Sequence, residues 1–239
     1  MGVYQLFDHE DFGDIAFQQV VKAVNDNHRP NPTIIFPTGG TPEPLYTRIA
    51  ELRSFFPMFD YINLDQYYGI EYDDPRSYPF EIEQKLLKAL KLKPDLQLVF
   101  NATAQANHEC HRIENAIRHA GGIDIAVIGI GPNGHIAFNE PKTDFNTRAH
   151  LVDLTPETIA ANQKYCAQFG GVPPQALTLG LGTIMEAKKI ILLTNKPEIT
   201  LRALHGSVTT DVPASVLQRH PNLTVVATPQ VGAKLRLAA

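Results

Sequence analysis

Ile123-Asp124-Ile125-Ala126-Val127-Ile128 is the segment that most limits what this chain can fold into. A run this short, rich in β-branched residues, suits a strand buried on both faces, as in parallel sheets sandwiched between helices. It leads directly into a glycine-rich turn, Gly129-Ile130-Gly131-Pro132-Asn133-Gly134. Other short apolar runs read as strands on the same pattern: Val3 to Phe7, Thr33 to Phe36, Tyr61 to Leu64, Leu96 to Phe100, Lys189 to Leu193 and Leu223 to Ala227. Longer amphipathic stretches alternate with them. After the first strand, Asp8 or Asp11 can cap a helix whose apolar stripe is Phe12, Ile15, Ala16, Val20 and Val24; Ala104 to Ala120 is also helical in period. Alternating strand and helix signals predict a mostly parallel α/β fold. With 239 residues, 44% of them hydrophobic, and no repeat or linker, the chain is read as a single domain, 1–239.

In open parallel sheets, ligands bind where loops leave the carboxyl ends of the strands. Three loops rich in polar chemistry occupy that position here. The first is Pro37-Thr38-Gly39-Gly40-Thr41-Pro42. Glycines let a backbone approach an anion closely, a helix start offers free N–H groups, and the threonines add hydroxyls. The segment reads either as a phosphate cradle or as an ordinary strand-to-helix turn. It has neither the lysine of a Walker loop nor the glycine spacing of a dinucleotide fingerprint. The second loop, Asn63-Leu64-Asp65-Gln66-Tyr67, puts a carboxylate at a strand end, where it could serve as a general base or merely cap a turn. The third, Gly129 to Pro141, contains His135, Glu140, Asn133 and Asn139. Imidazole is the side chain suited to exchange protons near neutral pH, and a carboxylate can orient it.

Several function classes are disfavoured. A net charge of −4 argues against a nucleic-acid partner. No apolar run approaches the ~20 residues needed to cross a bilayer, and the N-terminal stretch lacks the basic and apolar regions of a signal peptide. Two cysteines, Cys110 and Cys166, without framework spacing suit a reduced, cytoplasmic protein. Asn107-His108-Glu109-Cys110-His111-Arg112 tempts as a metal site, but without a partner cluster it reads as a surface helix. His28, His205 and His220 read as turn residues.

Taken together, GIGPNGHIAFNEP, PTGGTP and LDQY resemble the signature segment, phosphate loop and catalytic strand end of the glucosamine-6-phosphate deaminases (isomerases). SYPFEIEQ, LTPETIAANQKY, ALTLGLGTIMEA and DVPASVLQRHPN extend the similarity, in order, from about residue 33 to residue 226. The resemblance implies an open, mostly parallel, Rossmann-like α/β sheet with helices on both faces and a lid segment at about 148–179. It implies that Asp65 moves a proton between C2 and C1 of an amino sugar, and that His135, held by Glu140 with Asn133 nearby, opens the ring. Thr38, Gly39, Gly40 and Thr41 would contact the phosphate, with Lys164 on the lid. The implied reaction turns glucosamine 6-phosphate and water into fructose 6-phosphate and ammonia, without metal or other cofactor.

Departures from the family pattern carry expectations of their own. Asn133 stands where some members have Asp, which leaves Glu140 as the nearby group able to polarise His135. Gln66 replaces a Glu beside the base. The family's phosphate lysine has no aligned counterpart, and Lys196 is the nearest substitute. His150 and Val152 fall at basic effector positions of the larger allosteric members, so a non-allosteric monomer or small homo-oligomer is expected. Rival readings are a galactosamine-6-phosphate deaminase, a 6-phosphogluconolactonase and a sugar-phosphate-sensing domain. A lactonase signature resembles GHTAS where this chain has GHIAF, and a sensor would carry a DNA-binding segment ahead of the first strand.

Overall fold

The computed structural model describes residues 4–94 and 96–238. The first half forms β1 (Tyr4–Asp8), α1 (Phe12–Asn25), β2 (Thr33–Phe36), α2 (Glu43–Glu51), β3 (Asp60–Asn63), β4 (Asp65–Tyr67), α3 (Tyr78–Ile82), α4 (Lys88–Leu90), β5 (Gln97–Leu98) and α5 (Ala106–His119). A π turn, Glu83–Leu87, joins α3 to α4. The second half forms β6 (Ile125–Gly129), β7 (His150–Asp153), α6 (Pro156–Cys166), β8 (Gln175–Thr178), α7 (Leu181–Met185), β9 (Lys189–Thr194), α8 (Pro197–His205), β10 (Leu223–Ala227) and α9 (Pro229–Leu237). Among the described residues no helix is long and apolar enough to cross a membrane.

Seven strands form one parallel sheet in the order β1-β10-β9-β6-β2-β3-β5. The chain winds outward from β2 through β3 to β5, then returns to the other side of β2 with β6. The switch point therefore lies between β2 and β6, and the loops leaving those strands part there to open a crevice. Helices cover both faces. Along β2 and β6, Ile34, Phe36, Ile125 and Val127 face the core under α1 and α2, while Ile35, Ala126 and Ile128 face the core under α5 and α8. This is the two-residue period of a doubly buried sheet.

Local chemistry sets the boundaries. Asp11, not Asp8, caps α1, accepting from the Asp14 N–H at 2.9 Å. Asp8 is instead the last residue of β1 and binds Arg236. Val3 lies outside the described residues. The strand expected over Leu96 to Phe100 pairs only at Gln97 and Leu98, since β5 is an edge with a single neighbour. His205 ends α8 rather than lying in a turn, its ring bonded to the Tyr4 hydroxyl at 2.9 Å. His220 is buried against the Ala187 carbonyl.

One element was absent from the sequence reading. Asp65 does not lie in a loop: it opens β4, which with β8 and β7 forms a separate antiparallel sheet, order β4-β8-β7. Asp65 pairs with Thr178 across this ladder, and Asn63 donates its amide to the Asp65 carbonyl at 2.9 Å. The strand thus stops at Asn63, and the backbone switches sheets at Leu64. The segment 148–179 supplies two of the small sheet's strands and α6. Beneath it a separate apolar cluster gathers Tyr67, Ile70, Phe138, Leu154, Cys166 and Ala176.

Candidate functional site

The carboxyl ends of β2 and β6, the start of β4 and the helix α6 enclose a cleft of ≈ 560 Å³. Its wall contains Thr38, Gly39, Gly40, Thr41, Asp65, His135, Lys164 and Lys196. Tyr78 and Phe138, stacked with ring centroids 5.7 Å apart, form an apolar part of the lining. Residues far apart in sequence meet here because the two central loops diverge at the switch point and β4 folds back across it.

The cradle loop ends β2 and feeds α2. Gly39 has φ +88°, a conformation that other residues rarely adopt. The Tyr46 hydroxyl donates to the Pro37 carbonyl and ties the loop to α2. On the opposite side Lys196, the residue before α8, points its Nζ at Thr41 Oγ1, 3.4 Å away. Burial, and then the charge of Lys164, push the Lys196 pKa below the usual lysine value. An ammonium group disfavoured by burial and by a neighbouring like charge makes a good site for a multivalent anion, whose arrival relieves the repulsion.

His135 owes its position to the turn before it. Gly131 N–H donates to the His135 carbonyl at 2.9 Å, and Gly134 N–H to the Gly131 carbonyl at 3.0 Å. The imidazole packs over the Gly131 α-carbon so closely that a Cβ there would lie 2.1 Å from His135 Nε2. Behind the ring, His135 Nδ1 is 3.6 Å from Glu140 Oε2, and Asn133 Nδ2 donates to that same oxygen at 2.9 Å. Asn133 Oδ1 accepts from the His135 N–H at 3.1 Å. Asn133 and Glu140 therefore stand behind His135 and hold it, while His135 alone of the three faces the cleft. Glu140 is not the only group at Nδ1, as the sequence suggested: Thr158 Oγ1, from α6, lies 3.4 Å away. Burial disfavours the Glu140 carboxylate, but hydrogen bonds from His135, Thr158 and Asn133 outweigh it and hold the pKa down at about 2.

Asp65 has the opposite electrostatics. It is 5% exposed, and burial, reinforced by the negative charge of Glu81, pushes its pKa up to about 8. Its neighbour Gln66 projects to the other face of β4. There Gln66 donates to Ser77 Oγ at 2.8 Å and accepts from the N–H groups of Tyr67 and Tyr78. The missing family glutamate is thus replaced by a structural amide that points away from the cleft. Two carboxyl groups with pKa values driven in opposite directions suit different tasks: a permanently charged support for imidazole, and a titratable base.

Sequence reasoning missed Thr158, Tyr165 and Glu81. A signal for the first two was present: Thr158, Ala161, Asn162 and Tyr165 all line the cleft and recur at the i, i+3, i+4, i+7 spacing of one helix face. Among the described residues no group of three His, Cys, Asp or Glu side chains could hold a metal ion. His108 and His111 are exposed on α5, while Cys110 packs inward.

Residues 8–226 match the family described as glucosamine-6-phosphate isomerases/6-phosphogluconolactonase. The glucosamine-6-phosphate deaminase of Shouchella clausii (strain KSM-K16) is 38% identical over 235 residues, covering 95% of this chain and 94% of that protein. Glucosamine-6-phosphate deaminase 1 of Bacillus subtilis (strain 168) is 35% identical over 234 residues, 95% of this chain and 96% of its own. Among solved structures, a monomeric glucosamine-6-phosphate deaminase superposes with a TM-score of 0.87 at 33% identity, over 97% of this chain and 99% of its own. The 6-phosphogluconolactonase of Thermotoga maritima has a TM-score of 0.74 at 17% identity, over 95% of this chain and 99% of its own; that likeness shows the shared fold.

Proposed function

The chain belongs to the glucosamine-6-phosphate isomerase/6-phosphogluconolactonase family, and from that premise we propose that its cleft converts glucosamine 6-phosphate and water into fructose 6-phosphate and ammonia. The observation that carries this reading is the convergence of Asp65, His135 and the Thr38–Thr41 cradle on one cleft large enough for a hexose phosphate.

Each group has a task that fits its environment. The cradle and Lys196 hold the phosphate and so fix the distance from that end of the sugar to the reacting carbons. His135 carries a proton between O1 and O5 and opens the pyranose ring. Glu140, ionised throughout the physiological range, keeps the imidazole oriented. Asp65 then takes the C2 proton, giving an enolamine, and returns it to C1. That leaves an imine at C2, to which water adds before ammonia departs. A carboxylate of ordinary basicity would be a poor acceptor for a carbon-bound proton. Raising the pKa of Asp65 to about 8 brings it near working pH, where basicity and ionised fraction are best balanced.

Release of ammonia from glucosamine, galactosamine and mannosamine 6-phosphates, with the unphosphorylated sugars as controls, tests both the reaction and the epimer. Glucosamine 6-phosphate is expected to lead, and release from none of the three defeats the proposal. Asp65→Asn is expected to lose ~10²–10⁴-fold in turnover while still binding substrate. Near-normal turnover would remove Asp65 from the mechanism.

A further inference from the structure

The protein has eight tyrosines, and seven have their hydroxyl groups engaged within the fold. Tyr4 bonds His205, Tyr46 the Pro37 carbonyl, Tyr68 the Ala104 carbonyl and Tyr72 Glu83; Tyr67 and Tyr78 bond each other, and Tyr61 accepts from Asn63. The eighth, Tyr165, is on the lid helix α6, and among the described residues its hydroxyl has no hydrogen-bond partner. It nevertheless has a defined location. A Cβ built on Gly40 would lie 3.0 Å from Tyr165 Oη, which is the one atom within 4 Å of that point. The unspent hydroxyl therefore lies directly over the second glycine of the cradle.

Two lysines share the cleft with it, and Glu81 Oε1 lies 3.5 Å from Gly39 N. Lys164 Nζ lies 4.7 Å from the Tyr165 ring centroid, and Lys196 reaches Thr41 in the same cleft. A phenol without a protein acceptor, over Gly40 in a cleft that also holds two ammonium groups, is placed to donate its hydrogen to an anion on the cradle. We propose that Tyr165 is a binding residue of the phosphate site, donating its hydroxyl to the substrate phosphate from the lid side of the cradle. This rests on reading the cradle as a phosphate site. It also gives the lid a reason to dock. A bond made only when α6 covers the cradle means that phosphate stabilises the docked lid and that the docked lid tightens phosphate, by the same factor. Gly40 then has two purposes: its N–H is free to approach the anion, and its missing side chain leaves room for Tyr165 Oη.

The test is calorimetric binding of inorganic phosphate to the intact protein and to Tyr165→Phe and Lys196→Ala. Tyr165→Phe removes one oxygen and keeps the ring, so packing of α6 is preserved. A hydrogen bond to a charged acceptor is worth roughly tenfold or more in affinity. Tyr165→Phe is therefore expected to weaken phosphate about tenfold and to raise KM for the sugar phosphate in proportion. Phosphate should also slow amide exchange across α6 in the parent protein, and much less in Tyr165→Phe. Parent-like phosphate affinity in Tyr165→Phe, with weakening in Lys196→Ala, would overturn the role of Tyr165 and leave the cradle standing. Phosphate affinity that neither substitution changes, absent binding included, would overturn the cradle reading and this proposal with it.

Discussion

Asp65 is 5% exposed, and the charge that acts on it, that of Glu81, has its own sign. Both effects favour the protonated acid, yet proton abstraction needs the carboxylate, so kcat/KM should rise with pH toward about 8. Glu81→Gln removes the like charge and leaves the burial. The acid limb should move to lower pH while staying above the ordinary carboxylate range, because burial is the larger cause. A less basic Asp65 is also a weaker base, so the plateau should drop. The variant is thus faster than the parent well below pH 8 and slower above it. The substrate's own ionisations are common to both proteins and cancel in their ratio. Superimposable profiles would show that Glu81 does not act on Asp65. Stability gives an independent check. Folded Asp65 keeps its proton up to about pH 8, whereas in the unfolded chain it releases it near 4. The folded state binds more protons between those values, so stability falls as pH rises through that window. Asp65→Asn is neutral at every pH, and its melting temperature should exceed the parent's by a margin that grows from pH 4 to pH 8 and then levels off. Asp65 was legible because it follows an apolar strand, and His135 because it lies in a glycine-rich turn after one. Glu81 was not: its proximity to Asp65 arises from how α3 packs, which no local spacing encodes.

At the scale of elements, the inner strands β2, β6, β9 and β10 were readable because they are buried on both faces and so are mostly apolar. β2 and β10 match their expected ranges residue for residue. The small sheet was not. Its strands are three or four residues long, and β7 is half-buried or exposed throughout, so no run of apolar residues announces them. Part of what anchors this layer is polar. Arg76, held in a fork by Asp74, donates Nη1 to the Gly171 carbonyl at 3.2 Å and so pins the turn that follows α6. Gly170 and Gly171 have φ of 92° and 89°, a backbone that swivels without cost in side-chain strain. Arg76→Ala should cost about 1 kcal/mol for the lost hydrogen bond while the central sheet stays folded. Amide exchange should then quicken across α6 and not across β6, and KM should rise because α6 lines the cleft less firmly. Unchanged exchange in α6 would mean that the helix is held by its apolar cluster alone. Arg76→Lys should recover little, since an ammonium cannot keep the forked bond to Asp74 while reaching Gly171.

The whole molecule poses the question of regulation, and β7 answers part of it. The resemblance would put His150 and Val152 where larger members of the family place basic effector residues. A phosphate-bearing effector needs permanent positive charge there. Val152 has none. The half-buried His150 ring bonds the Arg148 carbonyl at 2.9 Å, and burial, only partly offset by that carbonyl, pushes its pKa below the usual histidine value. It is therefore mostly neutral at pH 7. Arg148, the nearest cation in sequence, is committed to Glu114 at 2.7 Å and Glu186 at 2.6 Å. Recruiting it would leave Glu114, a largely buried carboxylate, without its cation, which disfavours the exchange. The face that would read an effector is thus electrically silent, and with it goes the main advantage of coupling several copies. The protein should sediment as a single chain, and its rate should follow a hyperbola in glucosamine 6-phosphate, unchanged by N-acetylglucosamine 6-phosphate. Lysine or arginine placed at positions 150 and 152 together would restore charge alone and build no contact between copies, so the curve should stay hyperbolic in that variant too. Sigmoidal kinetics in the parent protein, relieved by N-acetylglucosamine 6-phosphate, would show that cooperativity is built from contacts other than those of β7.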